Sequence, residues 1–282
     1  MDVLTSIAAT RIALAPHRRA GRRIGLVPTM GYLHEGHMEL VRVARRTADI
    51  VVVSIFVNPI QFGPMEDLSR YPRDFERDAS LCTGAGVEYI FFPSDSEMYL
   101  PGFSLVVDET YLSKGLCGAR RPGHFRGVTT VVAKLFNIIQ PDCAVFGEKD
   151  FQQVRIIEHM VRDLNMPVAI VRVPTVREPD GLALSSRNKY LSPAERVDAL
   201  CLSHALTMAR KLCAEGKRDA GCIANAVRSA IATIPSARID YVEIVDAANL
   251  QPVLLIERES LLALAVFIGS TRLIDNTILR PG

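Results

Sequence analysis

Apolar residues follow two different periods along the first two-thirds of the chain. Short runs of Val, Ile and Leu are typical of buried parallel strands, and the stretches between them have apolar positions at helical spacing. This repetition predicts parallel strands joined by right-handed crossovers in a doubly wound α/β sheet. In chain order the pattern predicts strand 24–27, helix 36–47, strand 49–57, helix 72–86, strand 87–92, helix 127–140, strand 143–146, helix 150–164 and strand 168–173.

The pattern changes after Pro174, where a polar loop leads into a region of different order. Three strand-like runs there follow one another without intervening helices, which is typical of an antiparallel sheet. We therefore expect an α/β domain over residues 1–175 and a smaller C-terminal α+β domain over residues 176–282. The predicted elements of this second domain are helices 193–214 and 220–232, and strands 240–245, 261–268 and 271–276.

The composition of the chain restricts which partners and which cellular compartment we expect for it. Its 33 basic and 31 acidic residues leave a net charge of +2 over 282 residues, too slight to predict a nucleic-acid-binding surface. There is no uncharged apolar stretch of membrane-spanning length, and the first residues lack a secretory-signal pattern. Six scattered cysteines without a C-x-x-C pair predict buried, reduced thiols. We expect a cytoplasmic protein with no nucleic-acid or membrane partner and no protein-held metal.

The segment after the first predicted strand carries two histidines three residues apart. Residues 28–37 are Pro-Thr-Met-Gly-Tyr-Leu-His-Glu-Gly-His, so His34 and His37 lie at the first turn of the predicted helix. A helix N-terminus attracts anions such as phosphate, and Gly31 and Gly36 let backbone approach a ligand closely. Two imidazoles add donors that can neutralise phosphate charge. The alternative is that the histidines cap the helix or pack in the core.

Two further polar clusters follow predicted strands. Asn58 and Gln61 come after the second strand, and an amide that donates to one oxygen and accepts from a hydroxyl suits a small hydroxy acid. An ordinary strand-exit turn is the alternative there. Lys149 follows a later strand as a partner for phosphate, and Gln153 lies one turn further along. In the alternative interpretation Asp150 is an N-cap and the lysine is solvated.

A fourth cluster, Ser185-Ser186-Arg187, lies on the polar loop of the second domain. Small hydroxyls followed by a guanidinium fit a polyphosphate, and a solvent-facing turn is the alternative. A basic stretch over residues 120–127 precedes a predicted helix and either closes over an anionic ligand or serves as a linker.

The clusters are more informative jointly than singly. The first three follow strands of one predicted sheet, and ligands of such sheets bind beyond the carboxyl ends of the strands. Together with the serine–arginine loop they predict an ATP-type site beside a pocket for a small polar substrate. The sequence contains neither G-x-x-x-x-G-K-[ST] nor G-x-G-x-x-G. Its motifs therefore argue against a P-loop kinase and a dinucleotide oxidoreductase.

These motifs resemble those of a known family. His-x-Gly-His at a strand–helix junction resembles the nucleotidylyltransferase superfamily and its class I aminoacyl-tRNA synthetase relatives. A narrower set of six blocks resembles the pantothenate synthetase (pantoate–β-alanine ligase) family, in the right order over nearly the whole chain. The six blocks are residues 28–37, 54–62, 71–73, 121–125, 146–150 and 184–188.

The resemblance implies a Rossmann-like fold of the nucleotidylyltransferase type, a smaller lid domain and a two-step reaction. Pantoate would attack the α-phosphorus of ATP to give pantoyl adenylate and pyrophosphate. The β-alanine amine would then attack the adenylate to give pantothenate and AMP. Mg²⁺ is expected on ATP, and the family is typically homodimeric. A one-step nucleotidylyltransferase acting on another small phosphorylated substrate, and a nucleotide-binding regulatory module without catalysis, are the two alternatives.

The resemblance also implies residue roles. His37 would donate a proton at the phosphates, with His34, Lys149 and Arg187 as its catalytic partners. Pantoate would be held by Gln61, Gln153, Asn58 and Phe62, with Met30 contacting its gem-dimethyl group. The implied ATP-binding residues are Met30, Gly31, Tyr32, Leu33, His34, Glu35, Gly36, His37, Gly147, Glu148, Lys149, Asp150, Val176, Leu184, Ser185, Ser186 and Arg187.

Overall fold

The computed structural model describes residues 1–64 and 66–281, which form two compact units. The first unit comprises Met1–Glu109, Arg121–Glu148 and Ile156–Pro174. The second comprises Thr110–Arg120, Lys149–Arg155 and the chain from Thr175 onward. The predicted division into residues 1–175 and 176–282 stays a prediction, and its last residue, Gly282, lies outside the described residues.

The sheet of the first unit consists of six parallel strands. They are β1 (Asp2–Leu4), β2 (Ile24–Thr29), β3 (Ile50–Ile55), β4 (Tyr89–Phe91), β5 (Cys143–Gly147) and β6 (Ala169–Val173). Their order across the sheet is β1-β4-β3-β2-β5-β6. Every residue of β3 is buried, as expected for a central strand covered on both faces.

The direction of chain progression reverses at β2. This strand pairs with β3 on one side and β5 on the other, so the chain adds β3 and β4 on one side before it crosses to add β5 and β6. The crevice beyond the carboxyl ends of strands at such a switch point is where doubly wound sheets bind ligands. The histidine-bearing segment leaves β2 at this position.

The helices of the described residues connect these strands and cover the sheets. Helix α2 buries Met38, Val41 and Ala44 in a cluster with Val27 and Val51 of the sheet, as its helical spacing predicts. The helices are α1 (Ile7–Arg19), α2 (Glu35–Thr47), α3 (Phe75–Gly84), α4 (Asp95–Met98), α5 (Leu116–Arg120), α6 (His124–Ile139), α7 (Phe151–Asp163), α8 (Pro193–Asp198), α9 (Leu200–Ala214) and α10 (Ala220–Ala232). Short 3₁₀ helices span Pro59–Gln61, Leu68–Arg70, Leu112–Lys114, Glu148–Asp150 and Ser186–Tyr190.

The second unit contains an antiparallel sheet of three strands in the order β7-β8-β9. These strands are β7 (Ala237–Asp246), β8 (Ser260–Ile268) and β9 (Thr271–Leu279). Leu206 of α9 and Val227 of α10 pack in one buried cluster with Leu264 of β8. The predicted fold class, a doubly wound parallel sheet with a smaller α+β part, is confirmed.

Three local predictions need correction. The pattern missed β1 and α1, because a three-residue edge strand carries little periodicity and α1 contains Pro16 and several charged residues. The helix predicted over 193–214 is two helices, α8 and α9, that meet at Ala199. The break leaves no gap in the helical spacing of apolar residues, because Ala199 keeps helical dihedral angles.

The structure tests the predictions of buried, reduced cysteines and of a chain without a membrane-spanning segment. All six cysteines are free thiols, and five of them are buried. Cys222 is exposed, so the prediction of burial is wrong at this position, because Cys222 lies on the solvent face of α10. Within the described part of the chain, every helix is too short or too polar to cross a bilayer.

The core of the second unit provides a test of packing. Leu264 is fully buried, whereas Leu254 of the same unit is 89% exposed. We expect Leu264→Ala to lower the free energy of unfolding by about 2–5 kcal/mol, because truncation leaves a cavity. Leu254→Ala is the control and should leave it nearly unchanged. Denaturant unfolding measures both, and equal effects would contradict the assigned core.

Candidate active site

The two histidines form the N-terminal cap of α2. His34 is the N-cap residue, and its Nδ1 accepts a hydrogen bond from the Gly36 N–H at 3.2 Å. The backbone N–H of His34 donates to Nδ1 of His37 at 3.3 Å. The imidazole centroids lie 4.1 Å apart. Helix capping, the alternative left open for these residues, is therefore part of what they do.

This capping arrangement determines the imidazole tautomers. A backbone N–H can only donate, so Nδ1 of His34 and Nδ1 of His37 must both be unprotonated. Each neutral ring then carries its proton on Nε2. The cap thus makes Nε2–H the donor of both rings, next to the positive end of the α2 dipole. Such donors stabilise negative charge that develops on a phosphate.

A buried carboxylate holds the turn between β2 and His34. Gly31 has φ +81° and Tyr32 has φ +50°, so two successive residues are left-handed. Asp78 of α3 accepts hydrogen bonds from the backbone N–H groups of Tyr32 at 2.6 Å and Leu33 at 2.7 Å. A Cβ on Gly31 would lie 3.0 Å from Oδ2 of Asp78 and 3.0 Å from Ile55 Cγ2. Glycine is therefore required where this turn meets the carboxylate.

Burial dominates the electrostatics of Asp78, whose side chain is 1% exposed. Burial raises the pKa of Asp78 above its usual value, although the N–H groups of Leu33 and Tyr32 oppose this by stabilising the carboxylate. Sequence reasoning did not assign Asp78 this role. The available signal was a charged residue on the apolar side of α3, three residues after Phe75 and four before Cys82.

A chain of amide hydrogen bonds follows β3. Nδ2 of Asn58 donates to Oε1 of Gln61 at 3.0 Å and to the carbonyl of Gly127 at 3.1 Å. Oδ1 of Asn58 accepts from the Tyr99 hydroxyl at 2.7 Å, and Nε2 of Gln61 donates to Sδ of Met30 at 3.1 Å. The structure thus brings together three predicted site residues and adds Tyr99, for which the sequence offered no motif.

Two arginines of the basic stretch before α6 form ion pairs, one in each unit. Arg121 makes a two-pronged contact with Glu66, at 2.7 and 2.5 Å, and its Nη1 lies 3.0 Å from Nε2 of His124. Nδ1 of His124 lies 2.9 Å from the carbonyl of Gln61. Burial would raise the pKa of Glu66, but the hydrogen bond and charge of Arg121 outweigh it and hold that pKa below its usual value. Arg120 pairs with Asp240 in the second unit, at 3.6 Å.

A cavity of about 360 Å³ borders the motif turn in the first unit. Its walls include Met30 and Gly31 of the turn, and Arg73 and Asp74 from the segment before α3. The predicted residue Phe62 packs edge-on against Tyr71, with ring centroids 5.9 Å apart. The cavity volume of about 360 Å³ lies within the range of small-molecule sites, roughly 300–1,000 Å³.

The predicted residues after β5 fall on both units. Gly147 ends β5, and Glu148 lies 3.7 Å from Arg172 in the first unit. In the second unit, the carbonyl of Lys149 accepts from Nδ2 of Asn276 at 2.9 Å, and Nζ of Lys149 lies 4.0 Å from Asp150.

The adjacent glutamines at the start of α7 differ in their environment. The amide of Gln152 is buried and bonds to backbone groups of Leu112, Gly115 and Cys117. Gln153 is half-buried, and no other described residue forms a hydrogen bond with its amide. Of these two adjacent glutamines, Gln153 is therefore the one whose amide is available to a ligand.

The serine–arginine loop of the second unit is locally ordered. Ser185 caps the 3₁₀ helix Ser186–Tyr190, and its Oγ accepts from the Arg187 N–H at 3.2 Å. The carbonyl of Val176 accepts from the Leu184 N–H at 3.0 Å. The predicted ATP-binding residues Val176, Leu184, Ser185, Ser186 and Arg187 are therefore brought together on one loop structure.

The fold and the capped histidine pair together indicate the class of protein to which the chain belongs. A six-stranded parallel sheet with His-x-Gly-His after its switch-point strand is a Rossmann-like α/β fold of the nucleotidylyltransferase type. A family model described as pantoate-beta-alanine ligase matches residues 2–278, and the chain belongs to this family. The resemblance based on the six sequence blocks is thereby confirmed.

Relatives and solved structures agree with this assignment. Over 279 residues the chain is 57% identical to the pantothenate synthetase of Moorella thermoacetica, with 99% of each chain covered. The crystal structure of pantothenate synthetase from Thermus thermophilus has a TM-score of 0.95 at 47% identity over 100% of both chains. That of pantoate-beta-alanine ligase from Francisella tularensis, complexed with beta-gamma ATP and beta-alanine, has a TM-score of 0.81 at 33% identity, covering 100% of this chain and 99% of that one.

The contact between Asp78 and the motif turn can be tested by Asp78→Asn. An amide has one oxygen, so its NH₂ would face one of the two backbone N–H groups and leave that donor unpaired. We expect the free energy of unfolding to fall by about 1–3 kcal/mol. Glu76→Gln, at an exposed position of the same helix, is the matched control. If the two variants unfolded at the same denaturant concentration, the assigned role of Asp78 would be wrong.

Proposed function

We propose that this chain catalyses the ATP-dependent condensation of pantoate with β-alanine to pantothenate through pantoyl adenylate, with release of AMP and pyrophosphate. The observation that carries the proposal is the capped histidine pair at the switch point of a chain that matches the ligase family over residues 2–278. The one-step nucleotidylyltransferase alternative is not favoured, because the relatives are pantothenate synthetases along their whole length.

The first chemical step would use the capped histidines. A carboxylate oxygen of pantoate forms a bond to the α-phosphorus of ATP, and the bond from that phosphorus to the pyrophosphate oxygen breaks. Negative charge rises on the phosphate oxygens as this bond breaks. Nε2–H of His37 donates to the leaving phosphate oxygens, and His34 supports it from the same helix end. Their neutral tautomers, set by the cap, make both rings donors in this step.

The second step needs less from the side chains. The amine nitrogen of β-alanine forms an amide bond to the acyl carbon, the bond from that carbon to the AMP oxygen breaks, and the nitrogen loses a proton. Adenylation is what allows this step, since AMP is a far better leaving group than the oxygen of a free carboxylate. Positioning of the two reactants is then the main contribution of the protein.

Pantoate recognition is proposed for the amides and the neighbouring apolar groups. Gln61 and Gln153 would hydrogen-bond to the oxygens of pantoate, and Phe62 with Met30 would contact its gem-dimethyl group. Asn58 contributes to this set through its hydrogen bond to the Gln61 amide.

ATP binding is proposed for the residues that the resemblance implies. Lys149 and Arg187 would bind phosphate oxygens as cations, with Ser185 and Ser186 as hydroxyl donors. The remaining proposed contacts, many through backbone groups, are Met30, Gly31, Tyr32, Leu33, Glu35, Gly36, Gly147, Glu148, Asp150, Val176 and Leu184. The N–H groups of Tyr32 and Leu33 already donate to Asp78, so their contribution is to the shape of the turn.

Three further features are proposed for the protein as a whole. Within residues 1–64 and 66–281, no three His, Cys, Asp or Glu side chains are grouped as metal ligands. From the expected chemistry of ATP, Mg²⁺ would be held mainly by ATP phosphates and water, where it offsets phosphate charge. We propose a homodimer because the family that the chain resembles is typically homodimeric. We propose a cytoplasmic location because the cysteines are free thiols and the reaction is biosynthetic.

The proposed reaction can be tested directly with purified protein. We expect AMP formation that requires ATP, pantoate and β-alanine together, with one pantothenate formed for each AMP. Chromatographic detection of both products measures this stoichiometry. ATP binding without pantoate-dependent turnover would instead support a non-catalytic nucleotide-binding module.

The role of His37 can be tested by His37→Ala. Loss of one preorganised donor should slow adenylate formation about 10²–10³-fold. His204→Ala, at an exposed position of α9, is the control and should keep the full rate. Pantoate-dependent pyrophosphate exchange measures the first step, and the unfolding midpoint shows whether the altered cap still supports the fold. A folded variant with a near-normal rate would exclude the assigned role.

A further inference from the structure

The direction of the hydrogen bonds around Asn58 follows from one backbone carbonyl. The Gly127 carbonyl can only accept, so the Asn58 atom 3.1 Å away must be the Nδ2 amide nitrogen. Oδ1 of Asn58 then faces the Tyr99 hydroxyl at 2.7 Å, and the phenol must be the donor. Asn58 is 1% exposed, so water cannot replace these partners.

The same reasoning fixes the amide of Gln61. Nδ2 of Asn58 also lies 3.0 Å from Gln61, so the facing atom of Gln61 must be its acceptor, Oε1. Nε2 of Gln61 therefore points to the other side, where Sδ of Met30 lies at 3.1 Å. A thioether is a weak acceptor that uses at most one of the two hydrogens on Nε2. At least one N–H of the Gln61 amide is thus left without a protein acceptor among the described residues.

We propose that Tyr99 is a positioning residue for recognition of the acid substrate: its hydroxyl holds Asn58 so that Gln61 presents N–H to a carboxylate or hydroxyl oxygen. This inference rests on the proposed function of the chain. Tyr99 acts through two other side chains and touches no reacting atom. Without its hydroxyl, Oδ1 of Asn58 loses its donor, and the Gly127 carbonyl alone fixes the Asn58 amide, so Asn58 and Gln61 are held less firmly.

The surroundings of Tyr99 suit a fixed donor. Its ring packs against Phe103 and Phe56, with centroids 4.9 and 6.2 Å away. Nζ of Lys134 lies 5.6 Å from the centre of the Tyr99 ring. Burial raises the pKa of the Tyr99 hydroxyl well above its usual value, so the phenol keeps its proton at neutral pH. Since packing holds the ring, removing the hydroxyl should leave the ring in place.

The backbone of Gln61 is held separately from its side chain. A Cβ on Gly127 would lie 2.5 Å from the carbonyl oxygen of Ile60, so α6 directly contacts the 3₁₀ helix that carries Gln61. The Gln61 carbonyl also accepts from Nδ1 of His124, whose ring is held by Arg121. Loss of the Tyr99 hydroxyl should therefore disturb the direction of the Gln61 amide and leave its position intact.

The first test is Tyr99→Phe in the full chain. We expect the KM for pantoate to rise about 5- to 20-fold, the scale of one lost hydrogen bond in a site. The KM for ATP should be unchanged, whereas the unfolding midpoint should fall, because the buried Oδ1 of Asn58 loses its donor. Tyr89→Phe is the matched control, because its hydroxyl bonds to His17 at 2.9 Å on a different part of the sheet. This control should keep the normal KM for pantoate.

A double-mutant cycle separates positioning from general support of the fold. In a Gln61→Ala background, Tyr99→Phe should have no further effect on the KM for pantoate, because the amide through which it acts is gone. Equal effects in both backgrounds would mean that Tyr99 acts independently of Gln61, and would overturn the inference. An unchanged KM for pantoate in the single variant would do the same.

A third variant, Gln61→Glu, tests the direction of the amide independently of Tyr99. A carboxylate can still accept from Asn58 but replaces the N–H donor with an acceptor. We expect kcat/KM for pantoate to fall at least about 100-fold while ATP binding is retained. A tolerated Glu would show that Gln61 does not serve as a donor and would overturn the inference. If the unmodified chain formed no AMP from pantoate, the proposed function would fail instead.

Discussion

Two hydrogen bonds to one buried carboxylate determine how the chain leaves the central strand of the first unit. The N–H groups of Tyr32 and Leu33 lie between β2 and α2, where no strand or helix partner accepts them, and Asp78 accepts both. The resulting turn places His34 at the N-cap position, where the helix cap selects its tautomer. The ring nitrogen of His34 that carries the proton therefore depends on a carboxylate more than 40 residues away in the chain.

The same constraint operates beyond the next strand. The Gly127 carbonyl can only accept a hydrogen bond, and Nδ2 of Asn58 donates to it. That pairing decides which end of the Gln61 amide faces Asn58 and which end faces Met30. In both places, a hydrogen bond to a backbone group orients a polar side chain of the candidate site.

Local periodicity was sufficient to predict most of the architecture. The buried strands β2, β3 and β5 and the helix α10 lie where apolar spacing predicted them, because burial of near neighbours leaves a regular pattern. Periodicity failed at β1, which is too short to show a pattern, and at Ala199, where one helix ends and another begins without a change in dihedral angles.

The sequence by itself determined the family, the doubly wound fold class and the segments with candidate chemistry, because motifs are contiguous and report local structure. Only the tertiary structure decided which atoms of those segments donate and which accept. Asp78, Tyr99 and Glu66 lie 46, 41 and 55 residues from Tyr32, Asn58 and Arg121, their respective hydrogen-bond partners. Crossover connections bring such pairs together, and no periodic pattern in the sequence records which polar groups will meet.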